Sequence, residues 1–336
     1  MAYALQPTNG QHLEITPEFD PSSGQWTWNA VGNESTTPLS GVFFSGTDTP
    51  SSSGGLRVNR ASDPKWDFIG VAAGEPFWRF RDVIVGTPGF GDTQGILAGT
   101  PLSFRLHSVQ GPVGGLFSLY FSNSNPIVYF RSDDGIDGTD ILLKPDEHTH
   151  LNWAFTKKGI WIVNLTAQGT LNSTNTLTPV SAPQPHVFAI GDYAIWKAAR
   201  FNMTEIQNPV VSGDSADPDG DGLSNLMEYA LGGDPHVASA LREGDGQPLA
   251  PLLLPPANPG ASWQFCYFRR TAVSNPGVTY AVESSSSLAP QSWTAENGTE
   301  TPLSSIGDWQ EIGIPLETPP VTPSTRLFRL KVDTIP

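Results

Sequence analysis

The twelve residues from Asp217 to Glu228 have the types and the spacing of a calcium-binding loop. Aspartates stand at the first, third and fifth positions, a glycine stands at the sixth, and the glutamate stands at the twelfth. Ca²⁺ prefers oxygen ligands, and a loop of this length supplies them from positions 1, 3, 5, 7, 9 and 12. The predicted calcium ligands are therefore Asp217, Asp219, Asp221, the carbonyl of Leu223, Asn225 and Glu228.

A short helix is expected after this loop. The run Tyr229-Ala-Leu-Gly-Gly233 places glycines where the C-cap of a helix favours them. Apolar residues at helical spacing predict one stripe that docks on a neighbouring domain. The members of this stripe are Leu223, Leu226, Met227, Ala230 and Leu231. No helix is expected before the loop, because Asn208-Pro-Val-Val211 lacks a helical pattern.

With a helix on one side only, the loop resembles a dockerin-type or thrombospondin-type-3 calcium loop and not a paired EF-hand sensor. The resemblance implies a structural ion. Calcium would clamp the segment between two domains and fix how those domains are arranged. The alternative is a solvated, Asp-rich linker that binds no ion.

Polar residues on two predicted strands form a second candidate site. The stretches Gln11–Thr16 and His148–Phe155 each alternate, which predicts strands with one apolar and one polar face. Imidazole and carboxylate groups suit zinc or another transition metal. The predicted metal ligands are His12, Glu14, His148 and His150. The alternative is a hydrogen-bonded polar cluster, completed by Asn152 and Asp146, that holds no metal.

The apolar face of the second stretch predicts its pairing. The loop Lys157-Lys158-Gly159 leads into a further run of strand residues at 160–166, which is typical of a β-hairpin. One register unites all the apolar side chains on one face. It pairs Phe155 with Trp161, Trp153 with Val163, and Leu151 with Leu165.

These residues also carry a resemblance to a known family. His148-Thr-His-Leu-Asn-Trp-Ala-Phe155, with Phe130-Arg-Ser-Asp-Asp-Gly135 upstream, resembles the bacterial choice-of-anchor M domain, also called the surface-anchored repeat family. Gly111-Pro-Val-Gly-Gly-Leu-Phe117 is similar to the Gly-Pro-Gly stretch of that family. Gly10-Gln-His12-Leu-Glu14 is similar to its Gly-His-Val-Asp motif, with one inserted residue and Glu in place of Asp.

The resemblance covers about residues 5–195. It implies an exported, surface-associated bacterial protein and suggests metal handling, and it brings no established activity. Near the C-terminus, Val282-Glu-Ser-Ser-Ser-Ser-Leu288 followed by Trp293 resembles a β module that closes many exported bacterial proteins.

Composition predicts an all-β fold of two β-sandwich domains joined by a short calcium-binding loop and helix. The chain of 336 residues has 34 Gly, 31 Pro and only 15% charged residues, and few segments have helical periodicity. Residues 3–200 are expected to form short strands. The predicted domains are a β-sandwich over 1–205, the calcium loop and helix over 206–236, and a smaller β-sandwich over 237–336.

Charge, cysteine content and hydropathy exclude several classes of partner and structure. The net charge is −15 and no basic patch is visible, so nucleic acid is a poor partner. The single cysteine, Cys266, excludes an intramolecular disulfide and is expected to be buried in a strand. No apolar run reaches the roughly 18 residues of a transmembrane helix.

The sequence therefore predicts a secreted or cell-surface protein in its mature form, with no enzymatic activity. Its expected partners are other cell-surface or extracellular matrix components, or further copies of itself. A carbohydrate-binding module is one alternative, since ten tryptophans could supply stacking platforms. A metal-dependent hydrolase is another, although no nucleophile elbow, phosphate loop or dinucleotide motif is present.

Overall fold

The computed structural model describes residues 6–7, 13–32, 36–47, 57–80, 88–90, 100–144, 149–271, 277–316 and 326–335. Strands dominate these residues, which confirms the all-β prediction. The chain divides into two compact units, Met1–Thr204 and Glu205–Pro336. Residues 206–236, which were expected to form a connecting segment, belong to the second unit. Within the described ranges, no helix is long and apolar enough to cross a membrane.

The strands of the first unit are short. They are β1 (Gln6–Pro7), β2 (Leu13–Asp20), β3 (Gln25–Gly32), β4 (Thr36–Pro38), β5 (Val42–Gly46), β6 (Arg57–Asn59), β7 (Pro76–Phe80), β8 (Pro88–Phe90), β9 (Leu102–Gln110), β10 (Phe117–Phe121), β11 (Ile127–Arg131), β12 (Ile141–Lys144), β13 (Thr149–His150), β14 (Asn152–Phe155), β15 (Gly159–Gln168) and β16 (Gln184–Ile190). Helix α1 (Asp192–Arg200) follows them, and the one-turn helix α2 (Met203–Ile206) spans the boundary between the units.

The described strands of the first unit form three sheets. Sheet A has the order β1-β5-β16-β15-β9-β12, sheet B has the order β11-β10-β14-β7-β6, and sheet C has the order β13-β8-β2-β3-β4. Most neighbouring strands are antiparallel, whereas β1 with β5, β5 with β16, and β2 with β8 are parallel. The unit is therefore a layered β structure in which strands distant in sequence are neighbours in space.

Aromatic rings join sheets A and B face to face. The ring of Phe155 in β14 lies 4.8 Å from that of Phe188 in β16, and the ring of Trp153 lies 5.0 Å from the same phenylalanine, between centroids. All three side chains are completely buried. Sheet C adds Ile15 and Trp28 to this core. The first unit is thus sandwich-like, with one continuous apolar core.

The predicted hairpin between β14 and β15 is wrong, although its apolar residues all lie in the core. β14 pairs with β10 and β7 in sheet B, whereas β15 pairs with β16 and β9 in sheet A. The chain therefore crosses from one sheet to the other between Phe155 and Gly159. Phe155 still meets Trp161, but across the core, with ring centroids 5.2 Å apart. Stacking the two strands buries each apolar face against the other, which pairing in one sheet would not do.

Helix α1 was not expected, because residues up to 200 were predicted to form strands. Its buried residues are Ala194, Trp196 and Ala198, which are spaced two apart like the buried face of a strand. Gly191 precedes the helix with a φ of 87°, a conformation that ends β16 and that a residue with a side chain rarely adopts. The local apolar pattern was therefore ambiguous at this point.

The second unit contains helices and strands in two sheets. Its elements are α3 (Pro209–Ser212), α4 (Asn225–Leu231), β17 (Leu252–Leu254), β18 (Gln264–Arg270), β19 (Val278–Ser285), β20 (Thr294–Ala295), β21 (Thr301–Ile306), β22 (Trp309–Pro315) and β23 (Leu327–Thr334). The described strands form sheet D, in the order β17-β18-β22-β21, and sheet E, in the order β20-β19-β23.

Aromatic contacts also join sheets D and E. The rings of Phe265 in β18 and Phe328 in β23 lie 6.4 Å apart, and those of Tyr267 in β18 and Tyr280 in β19 are stacked at 5.9 Å. Cys266 is 2% exposed, which confirms the prediction that this thiol is buried. Helix α4 packs on β18 and β23 of this same unit.

Two glycines in the first unit make room for Trp161, which is buried. A Cβ atom at Gly111 would overlap the six-membered ring of Trp161, and a Cβ atom at Gly115 would lie 2.6 Å from its Cη2 atom. The indole Nε1 donates a hydrogen bond to the carbonyl of Lys157 at 3.0 Å, so the ring cannot shift without losing that bond. The indole ring therefore depends on the absence of side chains at these two positions.

We expect Gly111→Ala to lower the free energy of unfolding by about 1–3 kcal/mol, because the added methyl group overpacks the site of Trp161. Gly138→Ala is the matched control, since a Cβ atom there meets nothing within 4 Å. Urea unfolding followed by tryptophan fluorescence measures both. Equal stability of the two variants would show that the contact between Gly111 and Trp161 is not tight in solution.

Candidate calcium site

Two short helices frame the acidic loop. Asn208 caps α3, because its Oδ1 accepts a hydrogen bond from the Val210 amide at 3.1 Å and Pro209 supplies the fixed φ of a first helical residue. The expectation that Asn208–Val211 would not be helical is therefore wrong. Ser224 caps α4, its Oγ accepting from the Met227 amide at 3.4 Å.

Backbone hydrogen bonds close the loop at its base. The amide of Asn225 donates to the carbonyl of Ala216 at 2.8 Å, and the amide of Leu226 donates to the carbonyl of Asp214 at 3.1 Å. The start of α4 is therefore bonded to residues that directly precede the first predicted ligand. This arrangement bends the intervening residues into a closed turn.

The three aspartates of the loop come together. One carboxylate oxygen each from Asp217, Asp219 and Asp221 lies within 4.8 Å of the other two. Asp217 accepts hydrogen bonds from the amides of Gly220 and Gly222, at 2.8 and 3.0 Å. Gly222 has a φ of 95°, as a turn at the sixth position requires. Local hydrogen bonds therefore gather the three carboxylates at one place in the loop.

Buried oxygen atoms without hydrogen-bond partners lie beside this cluster. Glu228 is 1% exposed, and neither of its carboxylate oxygens has a partner. The same is true of Asp219 Oδ2 and of Asn225 Oδ1, which belongs to a residue that is completely buried. A buried carboxylate without a partner is costly, because burial removes its water and no donor replaces it. The four oxygens are the chemical complement of a hard cation.

The pKa of Glu228 also indicates that its carboxylate needs a compensating positive charge. Burial, and then the nearby charges of Asp219, Asp221, Asp234 and Asp217, together raise the pKa of Glu228 to about 8. Burial also raises the pKa of Asp219, an effect opposed by the hydrogen bond from the Asp221 amide. The cluster therefore repels itself unless a proton or a cation compensates it.

The predicted ligands differ in which of their oxygen atoms are available to a cation. Glu228 lies in the first turn of α4, as predicted. Asn225 has its Nδ2 engaged by the carbonyls of Val211 and Gly213, both at 2.8 Å, so only its Oδ1 is free. The amide of Leu223 donates to Asp221 at 2.8 Å, and ligation by the Leu223 carbonyl stays a prediction.

Sequence reasoning missed one member of the acidic cluster and misjudged the buried face of α4. Asp234 acts on Glu228, and its signal was an acidic residue directly after the two glycines that end the helix. Leu226 and Met227 are only half-buried, whereas Asn225 and Glu228 are fully buried. The helix ends as predicted, at Gly232 with a φ of 89°.

The histidine site is described only in part. Glu14 lies in β2 and His150 lies in β13, whereas His12 and His148 lie outside the described residues. In sheet C, Gly89 of β8 pairs with His150 on one side and with Glu14 on the other. Two of the four predicted ligands are therefore in one row of a sheet, with a glycine between them.

No protein-family model matches the chain, and no curated protein matches it either. The resemblance of residues 5–195 to the choice-of-anchor M domain stays a prediction from the motifs.

We expect Glu228→Gln to stabilise the calcium-free protein by about 1–3 kcal/mol at neutral pH, because Gln has no carboxyl group that must take up a proton on folding or be buried charged among like charges. The same change should abolish stabilisation by calcium. Asp308→Asn serves as the control, since Asp308 is an exposed acidic residue of the same unit outside the loop. Urea unfolding in chelator and in calcium measures both effects. A variant less stable than wild type in chelator would contradict the proposed repulsion.

Proposed function

We propose that this protein is a non-enzymatic β protein of the bacterial cell exterior whose second unit is stabilised by one calcium ion. The single observation that carries the calcium proposal is the set of buried oxygens without partners on Asp219, Asn225 and Glu228, beside the gathered aspartates. Calcium fits this set because it takes six to eight oxygen ligands in flexible geometry. Hard oxygen donors without nitrogen or sulfur favour it over transition metals.

The ion would be structural. It would join the loop residues Asp217, Asp219 and Asp221 to Glu228 in α4, and thereby hold the loop against the helix. Since the unfolded chain lacks this preformed arrangement, the free energy of calcium binding would add to the free energy of unfolding. The proposed role is therefore the stability of the second unit, which contains the whole site.

The proposed location outside the cell has two supports. The motifs at residues 10–14, 111–117, 130–135 and 148–155 resemble those of a surface-anchored family. Extracellular calcium sites bind at roughly 10⁻⁴ to 10⁻³ M, which suits surroundings where calcium is abundant. The single buried cysteine leaves this protein without a disulfide, so an ion can take the place of a covalent staple. Its proposed partners are other surface or matrix components, or further copies of this chain.

The alternative functions receive less support. A carbohydrate-binding surface built on stacking would need neighbouring exposed tryptophans, and all ten tryptophans lie in the described part of the chain. Of these ten, only Trp263 is exposed, at 39%. A metal-dependent hydrolase would need a metal with an open position beside a base. The described acidic cluster is a site for a hard cation within a structural loop, which favours the non-enzymatic proposal.

Calcium should bind to the chelator-treated protein in a one-site calorimetric titration. With a dissociation constant of about 10⁻⁴ M, a free calcium concentration of about 10 mM would raise the free energy of unfolding by about 2.7 kcal/mol. Magnesium at equal ionic strength is the control, because it demands smaller octahedral geometry. The absence of binding heat, together with identical unfolding curves in calcium and in chelator, would refute the proposal.

A transition-metal site in the first unit is a second proposal, favoured by the row that contains Glu14 and His150 in sheet C. We expect His150→Ala to bind zinc at least about tenfold more weakly than wild type, because the loss of one ligand weakens the whole site. His107→Ala is the matched control, since His107 is exposed in β9 of sheet A. Equal zinc binding by wild type and His150→Ala would favour the polar cluster without metal.

A further inference from the structure

The last carbonyl groups of α4 are held by side chains from the strands. The carbonyls in the last turn of a helix have no partner within the helix. Here Arg270 Nε donates to the carbonyl of Tyr229 at 2.9 Å, and the hydroxyl of Tyr280 donates to the carbonyl of Ala230 at 2.9 Å. A positive charge at this end of a helix is also favoured by the helix dipole. Strands β18 and β19 thus supply the C-terminal capping of α4.

Arg270 and Tyr280, which bond the last carbonyls of α4, are also hydrogen-bonded to each other. The hydroxyl of Tyr280 accepts a hydrogen bond from the backbone amide of Arg270 at 3.2 Å. The guanidinium carbon of Arg270 lies 4.6 Å from the ring centroid of Trp309 and 4.5 Å from that of Tyr229. These contacts fix the direction of the guanidinium group, so that its Nε points at the helix end.

Trp309 completes the support beneath the helix end. Arg242 stacks on the same indole ring, 4.8 Å from its centroid, and is itself paired with Asp245. A Cβ atom at Gly232 would lie 2.6 Å from Trp309 Cζ2 and 2.7 Å from Arg242 Cγ. The C-cap of α4 therefore lies directly against an indole ring that is stacked with two arginines.

The carbonyl that Arg270 bonds belongs to the residue directly after a proposed calcium ligand. Helix α4 is seven residues long, and Glu228 directly precedes Tyr229. The carbonyl of Glu228 also accepts hydrogen bonds from the amides of Gly232 and Gly233, at 2.6 and 2.8 Å. Because backbone bonds connect these residues within a single turn, a displacement of the helix end would displace the Glu228 carboxylate.

We propose that Arg270 and Tyr280 are positioning residues of the calcium site. They hold the carbonyls of Tyr229 and Ala230, and thereby set the position of the Glu228 carboxylate relative to the loop. The inference rests on the calcium site proposed above. It implies that the loop alone, without strands β18 and β19, lacks the full calcium affinity of the protein.

Tyr280→Phe tests this inference, because it removes one hydroxyl and keeps the ring that stacks on Tyr267. We expect the calcium dissociation constant to rise about threefold to tenfold, the equivalent of a typical hydrogen bond. Tyr267→Phe is the matched control, since it also removes one hydroxyl in the same unit, and that hydroxyl donates to Glu300 and not to α4. The control should lower stability equally in calcium and in chelator and leave the dissociation constant unchanged.

A fluorescence signal adds a readout that a general loss of stability would not change. We expect calcium to alter the emission of Trp309, which contacts Gly232, and we expect Trp309→Phe to lack that change. Arg270→Lys, which keeps the charge and loses Nε, should weaken calcium binding as Tyr280→Phe does. It replaces Tyr280→Phe if that variant does not fold.

The outcomes separate the two proposals. If wild type binds no calcium in calorimetry, both the proposed function and this inference fail. If wild type binds calcium and Tyr280→Phe binds it equally well, the calcium site stands and the positioning role is overturned. Equal weakening by Tyr280→Phe and Tyr267→Phe would also overturn it, because the effect would then not depend on the helix end.

Discussion

A carboxylate that is buried without a partner constrains the second unit more than any other group. Glu228 has lost its water, and none of the described residues donates a hydrogen bond to its carboxylate. The nearby arginines do not compensate it, since Arg242 pairs with Asp245 and Arg270 is bonded to the carbonyl of Tyr229. The fold therefore disfavours the ionised carboxylate and leaves its compensation to a proton or a cation. A divalent cation is the simplest such partner.

The surroundings of this carboxylate follow from the same constraint. The loop brings three aspartates toward it, and Asn225 ties the start of α4 to the preceding turn through Val211 and Gly213. At its other end the helix is held by strand side chains. Hydrogen bonds therefore hold both ends of α4, which would reduce the entropy cost of binding at the proposed calcium site. The residues of the proposed calcium site all lie within the second unit.

The first unit depends on a different interaction, the stacking of aromatic faces between sheets A and B. Trp153 and Phe155 meet Phe188 across the core, and Trp161 meets Phe155 from the other sheet. β14 belongs to sheet B and β15 to sheet A, whereas β13, which ends at His150 just before β14, belongs to sheet C. His150 thereby lies in the same row of sheet C as Glu14, although the two residues are far apart in the sequence.

Spacing along the chain was enough to predict the all-β class, the buried face of β14, the acidic loop and the end of α4 at Gly232. Each of these depends on interactions between residues close in sequence, such as alternation along a strand, aspartates that bond the next amides, or a glycine with positive φ. The partners of β14 and β15 could not be read in this way. An apolar face indicates that a strand is buried on that side. It does not indicate which strands pair with it or which sheet packs against it.

The sequence does not predict helix α1 for a related reason. Buried residues two apart are compatible with a strand as well as with a partly covered helix. The burial of Asn225 and Glu228 was equally inaccessible, since polar residues in an acidic loop are expected to face water. Gly233 lies against the Glu228 side chain, and Leu249, from later in the chain, packs beside the same glycine. Spacing along the chain thus predicts the candidate ligands, whereas their burial, which would favour a compensating cation, depends on the packing of the folded chain.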